Sequence, residues 1–486
     1  MRPAVRFLSD ELRERIVGEA RTVLARLGVE IHNSAVLDLL AEHGAEVDRE
    51  KRRARLGDAL VDQALRTAPR SIALYDVFGQ QTHDLGGENV HFTPGSAAIN
   101  VLDYASGRMR AATTTDVVQF ARLVSGLEHI AAQSTCVVPS DVPQRISDSI
   151  RLYLGLMNCP KPVVTGAFTI DAFSVMRDLQ LAVRGSAEAL RAKPLTIFSC
   201  CPTAPLKWSD VTSQNVVDCA RAFIPVEFIS MPLSGFVAPV TLVGSLVQHT
   251  AETLSGVVIS QCAQPGAPML YGGSPAIFDV RYETTPMGAI ETMMIDCASA
   301  EIGKYLGLPT QAYIGLSDAK LLDAQAGLEA SMGATLAVLA GINSVSGPGM
   351  LDFESCMSLE NLVLDNEVCG MALRLGRGIE PREDFPSLPH FEELLRDQHL
   401  LISRHTRRYL REEHFMPGPT IDRANRSRWQ EEGGLTLGER AHREVVRLLE
   451  MHEPPALPDT VRAALTERME KEARRYGMDK LPPEMR

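Results

Sequence analysis

Between Pro268 and Glu367 the chain repeats one pattern three times. Met269–Tyr271 runs into Gly272-Gly273, Gln311–Ile314 into Gly315, and Gly341–Val345 into Gly347-Pro348-Gly349. Each short apolar run ends in glycine, passes into a polar, acidic loop, and is followed by a long helical pattern. Buried parallel strands read as continuous apolar runs, and each must be carried back to its starting edge by a crossover helix. The pattern therefore predicts consecutive βα units of a parallel sheet.

The same alternation extends upstream. Predicted strands are Val90–Thr93, Ile130–Val138, Val163–Thr165, Leu195–Ser199, Val226–Ser230, Met269–Tyr271, Gln311–Ile314 and Ile342–Val345. Helical periodicity falls at Thr115–Leu127, Val142–Met157, Asp171–Val183, Asp210–Phe223, Leu242–Cys262, Gly288–Leu306, Leu321–Ala340 and Ser358–Leu375. Eight strands alternating with eight helices are the count of a (β/α)8 TIM barrel, an α/β fold, here spanning residues 90–376. The rival, a doubly wound open sheet, carries a glycine fingerprint in its first turn, which Thr93-Pro94-Gly95-Ser96 does not match.

Outside the barrel, residues 1–89 read as an N-terminal helical segment. Leu12, Ile16, Ala20, Val23 and Leu27 recur at helical spacing before Gly28, and a β-like stretch from Ser71 to Val77 follows. Residues 377–486 form a C-terminal helical extension, richer in charge and proline, that wraps the barrel or joins a subunit contact.

Composition excludes some functions. A net charge of −12 disfavours nucleic acid, whose phosphates need a basic surface. The most apolar helical stretch, Thr241–Cys262, is interrupted by Gln248, His249 and Glu252, so no membrane span is expected. The N-terminus turns charged within ten residues and lacks the apolar core of a secretion signal. Nine cysteines without paired metal-ligand spacing read as free thiols of a cytoplasmic protein, with the vicinal Cys200-Cys201 at a strand end the pair to watch.

No P-loop, HExxH, nucleophile elbow or metal cluster is present, and no acid–base pair is recognisable. In parallel α/β folds, chemistry collects in the loops after the strand C-termini. Here those loops hold Phe278, Asp279 and Arg281, then Ser317, Asp318 and Lys320, then Asp352, Phe353 and Glu354. Aromatics are only 5% of the chain, so those expected on this rim are informative: Phe92, Phe168, Tyr271, Phe278, Tyr282, Tyr313 and Phe353. Aromatic faces with carboxylates suit a quaternary ammonium, which has no N–H to donate; the same rings could instead be barrel packing. Asp318 could supply charge or cap a helix. Arg281 could grip a substrate carboxylate or pair with Asp279 or Glu283.

The segments PGAPMLYGGSPAIFDVR, GLSDAKLLDAQAGLE and LENLVLDNEVCG, with HFTPGSAAINVLDYASGRMR upstream and MPGPTIDRANRSRW downstream, resemble the trimethylamine:corrinoid methyltransferase family over nearly the whole chain. Every letter is one of the standard twenty, so the resemblance is to members without pyrrolysine, of the glycine betaine methyltransferase type. It implies a barrel enzyme that moves a methyl group from a betaine-like quaternary amine to the Co(I) of a corrinoid (cobalamin) carried on a cognate partner protein. It implies no bound cofactor of its own, and a homo-oligomer. Substrate contacts are expected from Phe92, Tyr271, Phe278, Asp279, Arg281, Tyr313, Asp318, Phe353 and Glu354, with no catalytic proton-transfer residue and therefore a broad pH profile. The alternatives are a quaternary-amine binding protein without methyl transfer, and a barrel lyase using Lys320 as a Schiff base.

Overall fold

The computed structural model describes residues 2–478 and residue 481. Eight parallel strands form its centre: β1 His91–Thr93, β2 Gln133–Ser134, β3 Val163–Thr165, β4 Thr196–Cys200, β5 Val226–Phe228, β6 Met269–Leu270, β7 Gln311–Tyr313 and β8 Ser344–Ser346. Strands β2 to β6 pair in sequence order, and β7 pairs with β8, which pairs with β1. Two parallel bridges, Phe92 to Ile130 and Tyr271 to Thr310, join these arcs. The Ala131 N–H donates to the Phe92 carbonyl at 2.8 Å, and the Tyr271 N–H to that of Pro309 at 2.8 Å. The sheet is a closed barrel. At the β6 exit the chain needs Gly273, because a Cβ there would sit 2.5 Å from the Ser230 carbonyl oxygen.

The crossover helices are α1 Thr114–Gly126, α2 Ser147–Asn158, α3 Ile170–Arg184, α4 Asp210–Ala222, α5 Leu242–Ala263, α6 Ile290–Tyr305, α7 Ala324–Ala340 and α8 Leu359–Gly376. Helix α7 starts three residues later than its periodicity predicts, because Asp323 caps it by accepting from the Gln325 and Ala326 N–H groups.

The first ninety residues are not purely helical. Three short strands, Val29–Ile31, Glu46–Asp48 and Arg53–Arg55, join Lys207–Trp208 from the loop after β4 in one small sheet. An antiparallel hairpin, Ile72–Tyr75 with Gln81–Leu85, closes the N-terminal end of the barrel. Its Ile72, Leu74 and Leu85 pack with Val164, Ile197 and Leu270 in a cluster separate from the main core. Beyond residue 376, helices Leu437–Glu450 and Asp459–Arg475 pack on the barrel helices. No helix among the described residues is long and apolar enough to cross a membrane.

Candidate active site

With the hairpin packed on its lower end, the barrel presents an opening at the strand C-termini. There a cavity of about 310 Å³ is lined by Ser96, Thr135, Arg151, Phe168, Ser199, Cys201, Ser274, Tyr313 and Glu354, among others. Strand parity decides which side chains reach it. Tyr313 faces the interior, and its register partners Ser346 and Thr93 share that face. Phe92 is one residue out of phase and pairs with Val345 on the opposite face. Tyr271 is likewise turned towards the helices: its hydroxyl donates to Thr250 Oγ1 at 3.1 Å, and its ring meets His249 edge-on at 5.7 Å. Both residues are buried wall packing and do not line the cavity.

The β6 loop differs from expectation for another reason. Ala276–Ile277 pairs with Leu233–Ser234 in a two-stranded ribbon that carries the following residues outward. Phe278 stacks on the exposed Phe236 at 4.8 Å. Arg281, 75% exposed, grips Asp279. That pairing holds the Asp279 carboxyl down at about 2. Neither residue faces the cavity. Asp318 is buried behind it, accepting from the Met287 and Gly288 N–H groups rather than capping a helix. Lys320 is half exposed; it donates to the Asp318 carbonyl and lies 3.8 Å over the Phe353 ring. It is not among the lining residues, where a Schiff-base lysine belongs.

Glu354 reaches the cavity by an uncommon backbone path. Asp352, Phe353 and Glu354 all have positive φ, at 50°, 55° and 66°. This costs an L-residue roughly 1–2 kcal/mol each, so surrounding contacts must impose it. Ser355 Oγ donates to Asp352 Oδ2 at 2.6 Å, and Lys320 Nζ lies 3.6 Å from Asp352 Oδ1. The result aims Glu354 at Ser274, whose hydroxyl stands 3.5 Å from its carboxylate.

A second acid was not expected from the sequence. Glu227, fully buried on β5, accepts from Ser199 Oγ at 2.6 Å and keeps Oε2 without a partner. Burial pushes its carboxyl up to about 7. Burial and the nearby Asp318 push Glu354 up to about 7, and burial raises Asp318 to about 6. Burial and then Glu227 and Glu354 raise the Tyr313 phenol well above its ordinary value, so it stays a neutral hydroxyl bonded to Ser96 Oγ at 2.6 Å. Cys201 lines the cavity, but burial and the same two acids push its thiol up to about 12, which removes it as a thiolate nucleophile. Arg151 was also missed: it is fully buried on α2, inside a helix that exposes none of its residues.

Strand parity sets Tyr271 outside the cavity and Tyr313 inside it. Tyr271→Phe is expected to cost about 1 kcal/mol of stability through the lost hydroxyl bond while leaving ligand affinity unchanged. Tyr313→Ala is expected to weaken quaternary-amine binding by roughly 1–2 kcal/mol. Denaturant melts and calorimetric titration measure the two; loss of affinity in a stable Tyr271→Phe protein would contradict the outward placement.

The cavity thus combines one lining carboxylate and a second behind Ser199, neutral hydroxyls, an aromatic rim and a buried arginine, and holds no activated nucleophile. Comparison with known proteins agrees with that chemistry. A family model described as trimethylamine methyltransferase (MTTB) matches residues 1–477. The chain is 29% identical over 470 residues to trimethylamine methyltransferase MttB of Desulfitobacterium hafniense, covering 97% of this chain and 94% of that one. It is 31% identical over 454 residues to MttB of Methanosarcina thermophila, covering 92% and 93%. A glycine betaine methyltransferase of Desulfitobacterium hafniense is 27% identical over 465 residues, covering 95% and 96%. Because the family match runs from the N-terminal segment through the barrel and into the C-terminal helices, the chain belongs to the trimethylamine methyltransferase family and is a methyltransferase.

Proposed function

We propose that this methyltransferase takes a methyl group from a betaine-like quaternary amine and passes it to a corrinoid carried on a partner protein. The observation that carries this reading is the convergence of Glu354 and Tyr313 on one cavity at the barrel mouth, with Glu227 just behind it, accepting from the lining Ser199. Carboxylates and a phenol ring attract a permanent cation that offers no hydrogen-bond donor. Phe168 adds a half-exposed ring on the rim.

The rim fits the acceptor. Ile99, Phe168, Phe236, Val240, Val280, Tyr282 and Leu321 are all exposed on loops at the strand C-termini, an apolar collar suited to the broad face of a corrin ring. When bound, the corrinoid supplies a Co(I) centre nucleophilic enough to accept the methyl group directly. The residues of this chain then bind, orient and exclude water. The amine departs neutral, with the electron pair of the broken C–N bond on nitrogen, so no side chain must donate a proton for the bond to break.

Mixing the protein with free Co(I) cobalamin and glycine betaine tests the assignment. Dimethylglycine is expected to appear one-for-one with betaine consumed, with trimethylamine inert as donor. Tight betaine binding without any dimethylglycine would identify a binding protein instead.

Two further features support the remaining expectations. The helix Leu388–Asp397 has no buried residue and exposes Leu388, Phe391 and Leu395 along one stripe, which favours a homo-oligomer. All nine cysteines are free, which favours a reducing, cytoplasmic setting.

A further inference from the structure

Among the described residues, Arg151 is the one fully buried arginine or lysine. A buried guanidinium requires a reason, since taking it out of water is costly unless its charge and its five N–H donors are satisfied. Arg151 satisfies only some of them. Nη2 donates to Asp148 Oδ1 at 2.8 Å and Nη1 to the Thr135 carbonyl at 3.2 Å, while Nε has no partner. Asp148 meets the guanidinium through Oδ1 alone, while its Oδ2 accepts from the Phe168 N–H at 2.6 Å. The guanidinium also lies 5.0 Å from the Phe168 ring, which fixes its plane without using a donor. Arg151 and Phe168 both line the cavity that holds Glu354 and Tyr313.

The cavity is therefore dipolar, with a partly unsatisfied cation on one side and acids on the other. A free anion would meet Glu354, with Glu227 behind Ser199. A simple ammonium would leave the Arg151 donors unspent. A molecule carrying both charges satisfies both sides.

We propose that Arg151 is the carboxylate anchor of the substrate site, and that it makes the enzyme selective for zwitterionic quaternary amines over cations of similar size without an acid group. This assignment rests on the quaternary-amine reading above. It moves the role of carboxylate grip from Arg281, which is spent on Asp279, to α2. Planar, two-pronged contact to a carboxylate is the geometry a guanidinium provides and a lysine does not.

Calorimetric titration of the full chain with glycine betaine, choline and tetramethylammonium separates this assignment from the reading beneath it. The wild-type protein is expected to bind glycine betaine at least tenfold more tightly than choline. Arg151→Met is expected to erase that preference, Arg151→Lys to recover only part of it, and both to hold tetramethylammonium within about threefold of wild type. Retained tetramethylammonium binding shows that the cation side is intact. Should Arg151→Met fail to fold because Asp148 is left unpaired, the paired Asp148→Asn/Arg151→Met variant removes both charges together, and the same loss of preference is expected. Choline bound as tightly as glycine betaine by the wild type, or a preference that survives either methionine variant, would overturn the anchor. If wild type binds none of the three ligands, the quaternary-amine reading fails, and the anchor with it.

Discussion

Glu354→Gln is expected to weaken glycine betaine binding ten- to hundredfold, roughly 1.4–2.8 kcal/mol, with a much smaller change in kcat. In the proposed complex the carboxylate faces the ammonium in a cavity where charge attraction is less screened than in open water. That attraction belongs to the bound substrate and fades as the nitrogen loses its charge, so it acts on KM more than on the chemical step. Glu227→Gln is expected to behave similarly, and to show that the acid hidden on β5 belongs to the site. Asp279→Asn is the contrasting case. Its carboxylate is committed to Arg281 on the outer rim, and affinity is expected to stay within about twofold of wild type. A Glu354→Gln enzyme that binds normally but loses several orders of magnitude in kcat would reveal proton or covalent chemistry at this residue.

The second large effect is on the pH dependence of stability and ligand binding. Glu227 and Glu354, each pushed up to about 7, and Asp318, to about 6, are raised above their unfolded values. Raised carboxyls contribute stability that is full below the unfolded values and is lost as pH climbs through the folded ones. The ligand-free protein is therefore expected to lose thermal stability from this cluster between pH 5 and 8. A quaternary cation favours the ionised carboxylates, so its binding should release protons and tighten over the same window. The rise in Tm produced by glycine betaine is expected to be several degrees larger at pH 8 than at pH 5.5 for a domain of this kind. In the Glu227→Gln/Glu354→Gln variant most of that difference is expected to vanish. A betaine-induced shift independent of pH in the wild-type protein would mean that the acids do not face the cation.

The barrel was legible because its strands are buried on both sides, so each reads as an apolar run closed by glycine or a turn. The N-terminal strands were not. Glu46–Asp48 and Arg53–Arg55 are short and charged, and their small sheet includes Lys207–Trp208, which lies far away in sequence. Within the site, Tyr313, near the end of a predicted strand, and Glu354, in the loop after one, could be placed at the strand C-termini. Which face of its strand each aromatic occupies could not, because a shift of one residue exchanges inside and outside; Phe92 and Tyr271 fell on the wrong side for that reason. Two buried charges nevertheless carry a signal in the sequence. Glu227 is a single acid within the apolar run Pro225–Ile229, and Arg151 a single arginine among Ile150, Leu152, Tyr153, Leu154 and Leu156. A lone charge inside a segment destined for full burial is costly without a partner or ligand.

Central to the proposed function is recognition of a permanent positive charge by the barrel mouth. This recognition is tested most directly by comparing glycine betaine with 3,3-dimethylbutanoate, which keeps the shape and the carboxylate but replaces nitrogen with carbon. Both can use Arg151, so the difference in affinity reports the cation alone. At pH 7.5 glycine betaine is expected to bind at least tenfold more tightly by calorimetry, and Glu227→Gln/Glu354→Gln is expected to bring the two ligands to within about threefold of each other. Equal affinity for the two ligands in the wild-type protein would contradict the account.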